Sequence, residues 1–269
     1  MNLFTPAEFS ANYSLAGVGK TKLTLDKMLI LSIVAGMLIG FPAMVTNMAT
    51  YGLESNSVVR MVSGLLFAFG LGMVIMTGAE LFTGNTLILI SVLDRKVTIP
   101  AMLRNWVVVY IGNFIGSAVV AFICARFNWM AAGGNALADC TMRVAQAKRT
   151  MRFENALMMG IFCNVLVTLA VLLSLAGKDG VSRILGAWGP VMFFVVCGFN
   201  HSIADMTYCM AGLFAKKYYA LQAAAYTKLN WGNYLVGNLI PVTIGNILGG
   251  CAVALVVWYC YLRKPKKAK

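Results

Sequence analysis

Charge is scarce in this sequence. Asp, Glu, Lys and Arg make up only 12% of the 269 residues, whereas hydrophobic residues make up 60%, and the mean hydropathy is +0.78. Soluble domains contain about 25% charged and about 45–50% apolar residues, so the composition excludes a large soluble catalytic domain. Because a helix needs about 20 apolar residues to cross a bilayer, the length leaves room for about six spans of a membrane protein.

Acidic residues, histidine and paired cysteines are scarce as well. The chain has 9 Asp and Glu against 22 Lys and Arg, a single histidine, and seven cysteines with no CxxC pair. We therefore expect packing cysteines rather than disulfides or zinc ligands, and with no cofactor motif we expect no cofactor, no metal and no enzymatic activity. The basic excess lies at span ends and in loops, where membrane topology and lipid headgroups account for much of it, so nucleic-acid binding is not expected.

The apolar segments form two similar halves of three spans each. The second span of each half is interrupted, first by Gly78 to Thr86 and then by Gly198 to Asp205. The third span of each half contains a related motif, Ile-Gly-Asn-Phe-Ile-Gly from Ile111 and Ile-Gly-Asn-Ile-Leu-Gly from Ile244. Because three is an odd number, the second copy enters the membrane upside down. The predicted fold is all-α, with six transmembrane helices in two inverted three-helix repeats.

The chain divides into an arm at 1–27, a six-span domain at 28–262 and a basic tail at 263–269. The repeats cover about 28–126 and 153–262. Of the 22 basic residues, 13 fall on the side of the two termini and 9 on the other, which favours cytoplasmic termini. We expect a multi-pass protein of the inner, or cytoplasmic, membrane whose partly amphipathic arm could cover the cytoplasmic mouth of a pore.

The two interruptions are the candidate site. His201 lies in the second, and an ionisable group at membrane depth indicates function, although a neutral ring satisfied by helix carbonyls is the alternative. Thr83 in the first offers a hydroxyl donor beside freed amides, which suits a polar solute or an anion. Glu80 has a simpler interpretation, as a residue that ties down its own loop.

Two segments carry a family resemblance. Leu81-Phe82-Thr83-Gly84-Asn85 and Phe199-Asn200-His201-Ser202-Ile203-Ala204-Asp205-Met206 resemble the formate/nitrite transporter family, and the similarity covers essentially the whole chain. The resemblance implies an aquaporin-like fold and a homopentamer in the lipid bilayer, with a separate pore in each protomer.

By matching position, the resemblance also implies a set of pore residues. Thr83 and His201 are expected to face each other in a central chamber that Asn164 helps to line, and Lys148 is expected to attract anions at the outer vestibule. Two apolar constrictions are implied: a cytoplasmic one of Leu71, Leu81 and Val167 with Phe82 beside it, and an outer one of Phe67 and Phe194.

The second interruption departs from the formate-channel pattern. Formate channels usually carry glutamate before the histidine and asparagine four residues after it, whereas this chain has Asn200 and Asp205. We expect Asp205 to keep a negative partner near His201 or its loop. The chain looks most like the hydrosulfide-channel branch, so hydrosulfide is the expected anion. The alternatives are nitrite, formate or, in a different class, a neutral solute in an aquaporin-like pore.

Overall fold

The computed structural model describes residues 3–149, 151–219 and 225–263, which are helical with short connecting loops. Six of these helices are long and apolar enough to cross a membrane, which confirms the predicted spans. The first half of the chain forms α1 (Pro6–Lys22) in the arm, followed by α2 (Leu25–Thr50), α3 (Asn56–Thr77), α4 (Phe82–Leu93) and α5 (Ile99–Arg126) of the first repeat. The second half forms α6 (Ala136–Arg149) before the second repeat, followed by α7 (Phe153–Ala176), α8 (Gly180–Cys197), α9 (Ser202–Tyr218) and α10 (Trp231–Leu262).

The interrupted spans break at matching positions. Helix α3 ends at Gly78, with φ 68°, and α8 ends at Gly198, with φ 76°, a left-handed conformation that glycine adopts readily. The chain is extended at Leu81 before α4 begins and at His201 before α9 begins. Each second span is thus two helical segments joined by a short extended link, as the sequence predicts.

One asparagine from each repeat satisfies the backbone that the break leaves open. In α5, Asn113 accepts from the Phe82 amide at 2.9 Å and donates to the Glu80 carbonyl at 2.9 Å. In α10, Asn246 accepts from the Ser202 amide at 2.8 Å and donates to the Asn200 carbonyl at 3.1 Å. Because unpaired backbone groups are costly inside a membrane, this role explains why the Ile-Gly-Asn motif occurs twice.

The glycines of the same motif allow close helix packing. A Cβ on Gly116 would lie 2.0 Å from the Ile33 carbonyl oxygen, and one on Gly249 would lie 2.2 Å from that of Ile161. Small residues let backbones approach in this way within membranes. Helices α2 and α5 therefore pack closely in the first repeat, as α7 and α10 do in the second.

The arm forms a helix, α1, whose start is set by residues of the arm itself. Thr5 and Glu8 form a reciprocal capping box at the start of α1, and Pro6 occupies the first turn, where its missing N–H costs nothing. One face of α1 is buried, comprising Ser10, Tyr13, Ser14 and Gly17. The division into arm, six-span domain and tail stays a prediction, and residues 264–269 of the tail lie outside the described residues. All seven cysteines are free thiols.

Candidate functional site

Thr83 and His201 meet at the two chain breaks. Thr83 Oγ1 lies 2.8 Å from His201 Nε2, and both side chains are buried. Thr83 lies in the first turn of α4, and His201 precedes α9, where its Nδ1 accepts from the Ala204 amide at 3.1 Å. Because Nδ1 is an acceptor, the neutral ring carries its proton on Nε2 and donates it to Thr83 Oγ1.

This tautomer leaves the Thr83 hydroxyl proton available. Within the described residues Oγ1 forms no hydrogen bond other than the one to His201. A hydroxyl that accepts one hydrogen bond becomes a stronger donor of another. The pair therefore presents one polarised O–H donor, and the imidazole is held in place by stacking on Phe194, with ring centroids 5.9 Å apart at 18°.

A small chamber of about 10 Å³ adjoins the His201 side of the pair. Leu71 and Leu81 line both this chamber and a cavity of about 220 Å³ beneath α1, which we name the α1 vestibule. Phe67 and Phe194 line both the chamber and a cavity of about 160 Å³ beside α6, the α6 vestibule. His201 lines both the chamber and the α6 vestibule. Val167, Ile39 and Val191 complete the lining of the chamber, and Thr83, which was expected there, lies outside this lining.

Two of the residues expected at the pore lie elsewhere. Phe82 packs edge-to-face on Tyr110, with centroids 4.8 Å apart, and lines a groove of about 500 Å³ between α5 and α10. Asn164 lies behind Thr83 and donates to the Thr83 carbonyl at 3.2 Å and the Asn246 carbonyl at 2.6 Å. Asn164 thus fixes the backbone of the break instead of facing the chamber.

Lys148 is ion-paired in the α6 vestibule. Its Nζ lies 2.5 Å from Asp205 Oδ1 and 3.2 Å from Asn200 Oδ1. Burial lowers the pKa of Lys148, but the Asp205 carboxylate outweighs burial and raises the pKa above its ordinary value. Lys148 is therefore charged but compensated by Asp205 at the wall of the α6 vestibule, where the resemblance predicts a lysine that attracts anions.

Sequence reasoning missed Asn238, which completes this cluster. Its Nδ2 donates to Asp205 Oδ2 at 3.0 Å and to the Lys148 carbonyl at 3.3 Å. A signal was present: Asn238 lies eight residues before Asn246, as Asn105 lies eight residues before Asn113. That spacing places both asparagines of a pair on one face of a helix, about two turns apart.

Helix α1 covers the other mouth. Lys20 Nζ lies 2.8 Å from Glu80 Oε1, and Glu80 Oε2 accepts from Asn85 Nδ2 at 2.6 Å. The Tyr13 hydroxyl donates to the Gly84 carbonyl at 3.0 Å. Because Tyr13 and Lys20 line the α1 vestibule, the arm forms part of its wall, and Glu80 ties down both its loop and α1.

Comparison with known proteins agrees with this architecture. Residues 7–260 match the family described as "Formate/nitrite transporter". A probable formate transporter of Methanothermobacter thermautotrophicus is 32% identical over 279 residues, covering 97% of this chain and 98% of the relative. A solved pentameric formate channel with formate bound is 33% identical, with a TM-score of 0.77, covering 89% of this chain and 98% of that one.

A second solved structure, described as an ion channel of the same family, has a TM-score of 0.81 at 26% identity, covering 94% of this chain and 98% of that one. The matched residues extend from α1 through the six spans to α10. These relatives are transporters and channels, and not enzymes. The chain therefore belongs to the formate/nitrite transporter family and is a multi-pass membrane transport protein.

Proposed function

We propose that this protein is a membrane channel for small monovalent anions of weak acids, with hydrosulfide as its main substrate. The observation that carries the proposal is the buried Thr83–His201 pair, whose Oγ1 and Nε2 lie 2.8 Å apart and whose imidazole lines a chamber with apolar walls. The formate channel and formate transporter among its relatives support the substrate class.

The chamber suits a solute that sheds its water and needs one hydrogen bond. Apolar constrictions exclude hydrated ions, and a donor between them offsets part of the lost hydration. We assign that donor to the Thr83 hydroxyl, which bonds to the His201 ring at the wall of the chamber. Net proton transfer from the His201 ring requires a second ring proton on Nδ1, where the Ala204 amide already points, so the pair acts by hydrogen bonding and not as a proton store.

The size of the chamber supports hydrosulfide. Its volume of about 10 Å³ is close to that of a single water-sized sphere. Hydrosulfide has one non-hydrogen atom, whereas nitrite and formate have three, so hydrosulfide requires the smallest displacement of the walls. The break sequences, with Asn85 after Thr83-Gly84 and Asn200 beside His201, point in the same direction by resemblance.

We further propose that the protein is a homopentamer in the cytoplasmic membrane, with both termini in the cytoplasm. The pentameric neighbour supports the assembly, and so does the apolar groove between α5 and α10, which offers a surface for a second copy. The excess of basic residues on the side of the termini supports the orientation.

The test is anion flux into liposomes that contain the purified protein. Hydrosulfide, nitrite and formate are compared at two pH values for wild type, Thr83→Val and Thr83→Ser. Removing a hydrogen bond to a charged solute costs about 1.5–3 kcal/mol, so we expect about 10- to 100-fold lower flux in Thr83→Val and near-wild-type flux in Thr83→Ser. Thr207→Val is the matched control, because the Thr207 hydroxyl is buried without a partner in the described part of the chain.

Each outcome has a separate meaning. Hydrosulfide moving fastest, with loss in Thr83→Val alone, supports the full proposal. Equal flux of the three anions retains the anion channel and contradicts hydrosulfide selectivity. Passage of water or glycerol with no anion flux contradicts the anion channel and favours a neutral-solute pore.

A further inference from the structure

The first segments of the two interrupted spans, α3 and α8, pack on each other in opposite directions. Residues later in α3 meet residues earlier in α8, in four successive contacts: Arg60 with Val196, Gly64 with Met192, Phe69 with Trp188, and Gly72 with Ile184. We name this contact the α3–α8 seam. Phe67 and Phe194, which line both the chamber and the α6 vestibule, meet across it with ring centroids 6.0 Å apart at 78°.

The seam is tight at Gly64. A Cβ at this position would lie 2.7 Å from Val196 Cγ2 and 3.2 Å from the Met192 carbonyl oxygen. A valine in a helix has one strongly preferred χ1 rotamer, so its methyl group does not swing aside freely. A larger residue at position 64 therefore requires α3 and α8 to move apart, by about 0.7 Å to reach an ordinary contact distance of 3.4 Å.

Two hydrogen bonds hold the helices together at this point. Arg60 Nη1 donates to the Val196 carbonyl at 3.1 Å, and Trp188 Nε1 donates to the Leu65 carbonyl at 3.1 Å. Val196 lies in the last turn of α8, where carbonyls lack partners within the helix. Because each bond joins a side chain of one helix to the backbone of the other, and the two bonds lie on either side of Gly64 in the chain, they oppose separation of the helices where they are closest.

The tight point lies beside the phenylalanine pair. Phe67 is three residues after Gly64 in α3, and Phe194 is two residues before Val196 in α8. At 1.5 Å per residue, both positions lie within about 5 Å of the Gly64 contact along the helix axes. Packed interiors have low compressibility and transmit strain, so a separation of the helices at Gly64 also separates the two rings.

The other end of the seam is looser. A Cβ on Gly72 would lie 3.6 Å from Ile184 Cγ2, which is ordinary van der Waals contact. Gly72 follows Leu71, which lines the chamber and the α1 vestibule. Of the two glycines of α3 whose Cβ would meet α8, only Gly64 therefore fixes the approach of the helices, and it does so on the side of the α6 vestibule.

We propose that Gly64 sets the spacing of Phe67 and Phe194 and thereby limits the size of the anion that passes between the α6 vestibule and the chamber. Arg60 and Trp188 are positioning residues, which hold α3 and α8 at that spacing. The inference rests on the proposed anion channel. A close approach of the two rings favours the smallest anion, because a larger one must push the seam apart against both hydrogen bonds.

The first test measures flux of hydrosulfide, nitrite and acetate, which have one, three and four non-hydrogen atoms, into liposomes containing the full-length protein. The readout is the ratio of nitrite or acetate flux to hydrosulfide flux, which does not depend on the amount of protein inserted. Gly64→Ala already carries the displacement that a larger anion must force. We therefore expect the ratio to rise about 5- to 30-fold, the factor that corresponds to the cost of a typical overpacked contact.

Two variants separate spacing from other effects of the added methyl group. Gly72→Ala is the matched control, because it makes the same change in the same helix against the same partner helix, where the Cβ fits; its flux ratio is expected to equal that of wild type. Gly64→Ala with Val196→Ala removes the methyl group that the new Cβ meets and is expected to restore most of the wild-type ratio. Gain of propensity for helix is common to both alanine substitutions and cannot produce this pattern.

A second measurement does not depend on transport. Electron cryomicroscopy of Gly64→Ala and Gly72→Ala gives the distance between the Phe67 and Phe194 ring centroids, which is 6.0 Å in the unaltered chain. We expect the distance to increase by about 0.7 Å in Gly64→Ala, the displacement that the close contact requires, and to stay unchanged in Gly72→Ala.

The outcomes separate this inference from the proposed function. Absence of any anion flux in wild type contradicts the proposed channel. A flux ratio or a ring distance in folded Gly64→Ala that equals the wild-type value overturns the inference alone, as does an equal rise of the ratio in Gly72→Ala. Equal flux of the three anions in wild type overturns the inference and hydrosulfide selectivity but retains the anion channel.

If Gly64→Ala fails to assemble, as judged by gel filtration, two other variants decide. Trp188→Phe and Arg60→Met each remove one hydrogen bond across the seam and are expected to raise the flux ratio about two- to tenfold. The lost charge of Arg60 does not alter the ratio, because the three anions carry the same charge. A ratio equal to that of wild type in both variants overturns the inference.

Discussion

Replacing Lys20 by methionine tests how α1 is held over its vestibule. The substitution keeps most of the aliphatic stem and removes the ammonium that lies 2.8 Å from Glu80 Oε1. The side chain of Glu80 is 4% exposed and that of Lys20 is 25% exposed. In the variant the Glu80 carboxylate stays buried, with Asn85 as its remaining side-chain donor in the described structure.

The structure sets the size of the effect. Breaking a fully buried ion pair costs about 3–5 kcal/mol, and an exposed pair contributes under about 1 kcal/mol. With one partner buried and the other one-quarter exposed, we expect a cost of about 1–3 kcal/mol. Since 1.4 kcal/mol is a tenfold change in an equilibrium, the ratio of docked to undocked α1 falls about 5- to 150-fold.

Hydrogen exchange of the α1 amides measures this ratio directly. In Lys20→Met the amides of Pro6–Lys22 are expected to exchange faster by that factor, while those of α2 keep their protection. Lys22→Met is the matched control, because Lys22 lies on the same helix and is exposed. Equal α1 protection in wild type and Lys20→Met refutes the reasoning. Flux measurements test whether the arm also gates the pore. If it does, both Lys20→Met and deletion of residues 1–21 change the pH dependence of anion flux. Flux identical to that of wild type in both variants contradicts gating by the arm.

Two further predictions concern the second repeat. Asn246→Leu leaves the Ser202 amide and the Asn200 carbonyl without partners, so thermal unfolding in detergent is expected to show a loss of about 3 kcal/mol or more. Asn155→Leu, at an exposed position of α7, is the control, and an equal loss in both variants contradicts the assigned role. Burial lowers the pKa of Lys148, but Asp205 raises it above its ordinary 10.5, so the stabilisation by this lysine is fully present below that value and is lost only as pH rises through the raised pKa. The difference in Tm between wild type and Lys148→Met is therefore expected to be the same at pH 6 and pH 9, and a difference that changes between them contradicts a charged Lys148.

The predicted spans follow from local composition and are confirmed, but their ends are longer than predicted. The apolar run of the first span covers about 28–48 of the sequence and that of the third about 106–125, whereas the helices extend over Leu25–Thr50 and Ile99–Arg126. Caps set the true starts: the Thr98 side chain accepts from the Ala101 amide, and Pro100 lies in the first turn of α5. A run of apolar residues in the sequence marks the part of a helix that lies in hydrocarbon, but not the polar turns that extend the helix beyond the membrane.

The direction of single side chains at the breaks was not accessible from the sequence. Thr83 and Phe82 are neighbours, yet Thr83 reaches His201 while Phe82 packs on Tyr110 of α5. Consecutive residues at the start of a helix point about 100° apart, so their surroundings depend on where the neighbouring helices lie. The family resemblance placed Phe82 beside the cytoplasmic constriction. A match of sequence positions shows which residues are neighbours in the chain, but it does not show which way each side chain points around the helix axis.

The sequence by itself determined the six spans, the two breaks and the inverted duplication, because apolar length, glycine at the breaks and an odd number of spans per copy are local properties of the chain. Only the tertiary structure decided the pairing of Lys20 with Glu80 and of Lys148 with Asp205, and the tautomer of His201. These depend on which polar groups helix packing brings within about 3 Å of one another. In an apolar medium, each such group must find its partner across the fold or remain unpaired at a cost.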